Sequence, residues 1–274
     1  GLAPRPGAGA RATAPSPPAP AEPALLVAPY AERLSRDLAG TLAAVRAAGA
    51  RAVEWPSPYL PAGVPPAAVR AALDDAGLRV SGVQVGTGPL YRRWERALSA
   101  AAALGAPHIA CAPPGPEERR SPEDWPELVA VLGHAAERAR AAGLGFQVRA
   151  DGWMLAGPPG ATPLDRLLAA AGASGAGVGV ALDVRAARDA GVDPSAAIVR
   201  LGRRLGAILV RPADLSEGAG ATLVAAVRAA GAAPVWVAVP DAGARTTTGS
   251  PAMAGAPVVG AGAALAAVRR AAAG

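Results

Sequence analysis

Lysine and asparagine are absent from the 274 residues, and cysteine and phenylalanine occur once each. The lone Cys111 cannot close an internal disulfide, and with only two histidines, His108 and His134, no Cys/His set has the spacing of a zinc site. No apolar run reaches the roughly 18 residues of a membrane span without an intervening charge or turn residue, so a soluble protein with no membrane partner is expected. Without lysine, all 27 basic residues are arginine, and they are spread along the chain rather than clustered. The net charge of +6 then reads as a compositional preference for Ala, Gly, Pro and Arg. Aromatic residues make up only 3% of the chain, which leaves few bases' worth of stacking surface, so nucleic acid is not an expected partner.

The chain does have the means to build a core. Hydrophobic residues make up 51% of it and charged residues 18%. The 34 Gly and 29 Pro keep it just under the level of low-complexity sequence. Residues 1–24 are the exception: they hold seven prolines and almost no large apolar side chain, so a disordered Pro/Ala-rich tail is expected there. The chain opens on Gly rather than Met. That fits a trimmed product whose linker followed a removed export signal, and a cytoplasmic compartment fits equally well.

From residue 25 short apolar runs alternate with Ala/Leu/Arg segments of helical period. Strands are expected near 25–29, 51–55, 78–84, 107–112, 145–149, 177–183, 206–211 and 234–239. Helices are expected near 35–48, 66–76, 91–104, 122–142, 163–171, 195–203, 219–230 and 260–272. Phrases such as AAGARAVEW, DAGLRVSGV, ALGAPHIAC, AAGLGFQVR, RLGAILV and AAGAAPVWVAV place a Gly between each helix and the following strand, where a left-handed C-terminal residue is wanted. Ser121, Pro122 and Asp124 form a start signal for the fourth long helix. Strict alternation implies parallel strands with right-handed crossovers, and eight units in about 250 residues predict a single (β/α)8 TIM barrel over 25–274.

In such a barrel the chemistry sits at the C-terminal ends of the strands. The polar residues closing the runs are Tyr30, Glu54, Gln84, Arg149 with Asp151, Asp183 with Arg185, Arg211 with Asp214, and Asp241. This is an unusually ionic rim for a chain with so little charge. Trp55 and Trp153 follow strand ends and could either stack on a sugar ring or pack under loops. Cys111 and His108 read as core residues of the fourth strand and His134 as an outer-shell residue.

The segments YAERLSRDLAGTLAAVRAAGARAVEW, RSPEDWPELVAVLGHAAERARAAGLGF, EGAGATLVAAVRAAG and above all LDVRAARDAGVDP resemble the xylose isomerase-like sugar phosphate isomerase/epimerase family, over about residues 25–272. The resemblance implies a divalent ion (Mn, Mg or Co) at the mouth, held by a Glu after the fifth strand, an Asp ending the sixth, a His ending the seventh and a Glu ending the eighth. The two Glu residues move protons between adjacent sugar carbons. Transferred residue by residue, the family's pattern keeps Asp183 as metal ligand and Glu54 on the second strand. Met154, Arg211 and Val239 take the other three ligand places. Arg149, Asp151 and Gln84 replace family histidines, Ala213 replaces a lysine, and Asp214 and Asp241 remain.

Met154 and Val239 offer no hard donor, and a guanidinium at 211 repels a cation. No metal cofactor is therefore expected unless Asp151, Asp183, Asp214 and Asp241 build a displaced site. Three functions stay open. One is a barrel with an eroded metal site, inactive in the family's reaction, that binds an anionic sugar or metabolite through Gln84, Arg149, Asp151, Arg185, Arg211 and Asp214. Another is an isomerase or epimerase using the displaced site, or Glu54, Asp183 or Asp241 as a metal-free base. The third is a non-catalytic interaction protein whose mouth is filled by salt bridges.

Overall fold

Eight short strands close into a parallel barrel in the order β1 to β8, with β1 pairing back onto β8. They are β1 Ala24–Leu26, β2 Ala52–Trp55, β3 Arg79–Val85, β4 His108–Cys111, β5 Gly145–Ala150, β6 Val178–Asp183, β7 Leu205–Val210 and β8 Val235–Ala238. The computed structural model describes residues 22–113, 115, 125–173, 177–216, 218–240, 258 and 260–273. The predicted (β/α)8 barrel is the observed fold, with every predicted strand present.

The outer layer consists of α1 Ala31–Arg36, α2 Leu38–Ala47, α3 Pro66–Asp75, α4 Gly88–Arg92, α5 Trp94–Ala103, α6 Trp125–Ala141, α7 Gly152–Leu155, α8 Pro163–Ala173, α9 Val184–Asp189, α10 Pro194–Leu201, α11 Ala219–Ala229 and α12 Ala261–Ala273. Two predicted helices are each broken in two. Asp37 interrupts the first by capping α2 through the Gly40 amide at 2.9 Å. Arg93 separates α4 from α5 with φ −142°. The start signal at Ser121 to Asp124 lies outside the described residues, and so does most of the predicted tail. Its last residues are anchored: Glu22 accepts a hydrogen bond from Arg269 at 2.8 Å, and β1 already begins at Ala24. No helix among the described residues is long and apolar enough to cross a membrane.

Five of the six helix-to-strand glycines adopt positive φ, as at Gly143 (φ 76°), where the Leu144 amide closes back onto the Ala139 carbonyl at 2.9 Å. The sixth, Gly206, does not. It lies inside β7, and α10 is instead closed by Gly202 (φ 55°). Gly206 serves packing: a Cβ there would stand 2.5 Å from Nε2 of Gln147.

Alternation sorts the strand residues into two cores. Outward-facing Trp55, Val83, Phe146, Val148, Leu182 and Ile208 pack beneath the helices. Inside the barrel, Leu26, Ala181, Ala207, Leu209, Val237 and Val239 form an apolar half. The other half of the interior is polar: Glu54, Ser81, His108 and Gln147 are all buried. A register shift between Val53 and Glu54 makes Ser81 the extra residue of β3. Its hydroxyl lies 2.8 Å from Glu54 and 3.0 Å from the Val53 carbonyl, and it can donate to only one of them at a time. His108 lies over Gly82, where a Cβ would come within 2.1 Å of its Nε2.

Gly82→Ala is therefore expected to destabilise the barrel by about 1–3 kcal/mol through overpacking, and to be close to neutral in a His108→Ala background. Chemical denaturation of the four proteins of this cycle measures both effects. An equal loss in both backgrounds would show that His108 is not what Gly82 accommodates.

Candidate functional site

Asp183 ends β6 and at the same time starts the next helix. Its Oδ1 accepts hydrogen bonds from the amides of Arg185 (3.1 Å) and Ala186 (3.2 Å), so the carboxylate is the N-cap of α9. Arg211, the residue after β7, closes on the same carboxylate as a fork, with Nη1 2.9 Å from Oδ1 and Nη2 3.3 Å from Oδ2. Burial of the carboxyl opposes its ionisation. The hydrogen bonds and charge of Arg211, the Ala186 amide and the charge of Arg149 outweigh that, and Asp183 is held below the ordinary carboxylate range.

Asp214 repeats the arrangement one unit later. Its Oδ2 accepts the Arg211 amide at 2.8 Å across a 3-10 turn and lies 3.8 Å from the Arg211 guanidinium. Its Oδ1 accepts from Arg188 at 3.0 Å, and Arg188 also donates to the Asp214 carbonyl at 3.1 Å. Arg188, Asp214, Arg211 and Asp183 thus form one alternating chain of charges from α9 across the β7 loop to the end of β6. Arg188 was not among the predicted residues. It stands on α9, whose six residues carry too little periodicity to mark a helix.

The other predicted residues separate. Arg149 projects inward from β5, since Phe146, Val148 and Ala150 occupy the outer core. It is half-buried. Asp151 caps α7, with Oδ1 3.0 Å from the Met154 amide, and Met154 is buried beneath it. Gln84 faces the interior from β3 and is half-buried, and Val239 closes the apolar half of the interior. Arg185 belongs elsewhere. Expected with Asp183 at the end of the sixth run, it falls past the strand, because helix begins at Val184; Arg185 is exposed and lies 3.7 Å from Asp189. Asp241 lies outside the described residues.

Glu54 faces His108 deep in the barrel, with Oε1 3.7 Å from an Nε2 that has no hydrogen-bond partner. Among the described residues, no three His, Cys, Asp or Glu side chains converge on a point that could hold a metal ion. Trp55 is fully buried on the outer face and donates to the Leu60 carbonyl at 3.2 Å, so it packs under its loop and presents no ring to the mouth. Trp153 leans partly buried on the outer core. Tyr30, just after β1, has its phenol pushed up to about 12 by burial. Cys111 is buried, whereas the His134 side chain is 71% exposed on α6, as befits an outer-shell residue.

Among solved structures, the chain is similar to a sugar phosphate isomerase/epimerase from Parabacteroides distasonis, with a TM-score of 0.68 at 15% identity over 96% of this chain and 95% of that one. It is also similar to an L-ribulose 3-epimerase (TM-score 0.65, 17% identity, 90% and 94% covered). A third is D-psicose 3-epimerase with D-tagatose from Clostridium cellulolyticum (TM-score 0.64, 14% identity, 86% and 92% covered). At these identities the likeness shows the fold. No curated protein matches the chain. The sequence pattern of the xylose isomerase-like TIM barrel family matches residues 42–223, two thirds of the chain. The closed parallel barrel and that match together make this chain a member of the xylose isomerase-like TIM barrel family.

Proposed function

We propose that this chain is a sugar phosphate isomerase/epimerase-type barrel whose divalent-metal site has eroded, that it no longer performs the ancestral isomerisation, and that its mouth takes an anionic sugar or metabolite. One observation carries this reading. The fork of Arg211 occupies both oxygens of Asp183, the one ligand that the family pattern retains. A dication sharing that carboxylate would lie within about 5 Å of a fixed positive charge, a repulsion of about 7 kcal/mol at an effective dielectric of 20. Met154 and Val239 stand where the proton-moving carboxylates belong, and neither carries an acid or a base. The residues present do not fit a divalent ion.

A displaced site has little support in the three carboxylates described: Asp151 is turned to α7, Asp183 to Arg211, and Asp214 to Arg188 and Arg211. Asp183 is also a poor metal-free base, because the groups that lower its pKa stabilise the form that has already lost its proton.

Calorimetric titration with Mn2+, Mg2+ and Co2+ is expected to show no saturable binding. Micromolar binding lost in Asp183→Ala would overturn the proposal. The ion pair also sets a pH dependence. Because the folded pKa of Asp183 is lowered, its stabilisation is fully present above the unfolded carboxylate value of about 3.9 and is lost as pH falls through the folded value. Asp183→Asn should flatten the fall in stability below about pH 4. An unchanged acid slope in that variant would place the sensitivity in other carboxylates.

A further inference from the structure

We infer that the ligand held at the mouth is a polyhydroxy acid bound through its carboxylate, with Arg149 as the clamp; this rests on the reading that the mouth works without a metal. The other arginines near the mouth are already committed. Arg211 is taken up by Asp183 and Asp214, Arg188 by Asp214, and Arg185 turns outward beside Asp189. The chain from Arg188 to Asp183 holds two guanidinium and two carboxylate groups and is neutral in itself. Arg149 is different: among the described residues it makes no hydrogen bond or salt bridge, although it projects into the barrel and its charge is felt at Asp183. Its residue is half-buried, yet none of its nitrogens is among the buried, unpartnered side-chain atoms, so the guanidinium stays open to an external anion.

Geometry and repulsion select the kind of anion. The planar fork of Arg149 matches a planar carboxylate in two parallel hydrogen bonds. A phosphate dianion would bring a second negative charge beside the ionised Asp183, and repulsion there disfavours it. Next to Arg149 in the register, Ala181 offers only a methyl group, and Ala110 does the same beside Gln84. Gln84, half-buried on β3 and facing the same interior, supplies an amide that can both donate to and accept from sugar hydroxyls.

The test is isothermal titration of the whole chain with D-gluconate, D-glucuronate, acetate, D-glucose 6-phosphate and D-fructose. It is repeated on Arg149→Gln, on Arg149→Lys and on the exposed control Arg185→Gln. At least one of the two sugar acids is expected to bind at least tenfold more tightly than the sugar phosphate, the neutral sugar or acetate. Arg149→Gln should lose tenfold or more, Arg149→Lys should fall between because it keeps the charge without the fork, and Arg185→Gln should match the parent. Arg149 makes no hydrogen bond among the described residues, so Arg149→Gln should remain folded, with its unliganded melting temperature lowered by no more than the loss of its charge beside Asp183.

Tighter binding of the phosphate, acetate binding as well as the sugar acids, no binding by either sugar acid, or undiminished sugar-acid binding by Arg149→Gln would each overturn the inference. None of these outcomes bears on the metal titration, so failure of the carboxylate clamp is distinguishable from failure of the eroded site.

Discussion

The fork of Arg211 on Asp183 is the contact on which the mouth of this barrel depends. Asp183 ends a strand, caps a helix and neutralises a guanidinium, all with one carboxylate. Asp214 does the equivalent for the turn after β7 and reaches back to Arg188 on the helix that Asp183 caps. The sixth and seventh units are therefore tied together by charge at the face where a barrel enzyme works. A buried pair of this kind gains little net stability over an apolar pair of the same shape, because both groups lose hydration. Removing one partner is costly, since the other is left buried and uncompensated. Such a network resists piecemeal change, and any ligand at the mouth meets an arrangement that is already charge-balanced.

Arginine is the only strong cation available to this chain, and the resemblance read from the sequence sets two of its arginines, Arg149 and Arg211, where histidines are expected. Their circumstances differ. Arg211 is satisfied internally, whereas Arg149 makes no hydrogen bond among the described residues. Imidazole can ligate a metal in its neutral form, whereas guanidinium carries its charge at every accessible pH. Exchanging one for the other thus turns a ligand for cations into a ligand for anions. The interior behind the mouth is divided, with aliphatic side chains on one side and Glu54, Ser81, His108 and Gln147 on the other. The glycines at 82 and 206 give the larger polar side chains their space.

Much of the fold was legible because its signals are local. Gly143 and its counterparts mark the helix ends by a backbone conformation that other residues adopt at a cost, and the strands are apolar runs with nothing else to be. Gly206 misled because a glycine that makes room for a side chain from another strand looks the same in sequence as one that turns the chain. Asp183, Arg211, Asp214 and Arg149 were visible as polar residues closing apolar runs. Arg185 was misplaced because alternation was extended past Asp183, where helix begins. Arg188 was invisible without that helix. The meeting of Glu54 with Ser81 and His108 depends on a register shift between β2 and β3 that nothing in either segment announces.

In the proposed function a guanidinium, rather than a divalent ion, is the cation on Asp183. Anomalous diffraction at the manganese edge, from crystals grown or soaked in Mn2+, is the decisive measurement, because it sees every carboxylate of the chain, Asp241 included. Arg211 forked on Asp183 and no anomalous peak at the mouth are expected. A manganese peak coordinated by Asp183, with Arg211 turned aside, would overturn the proposal.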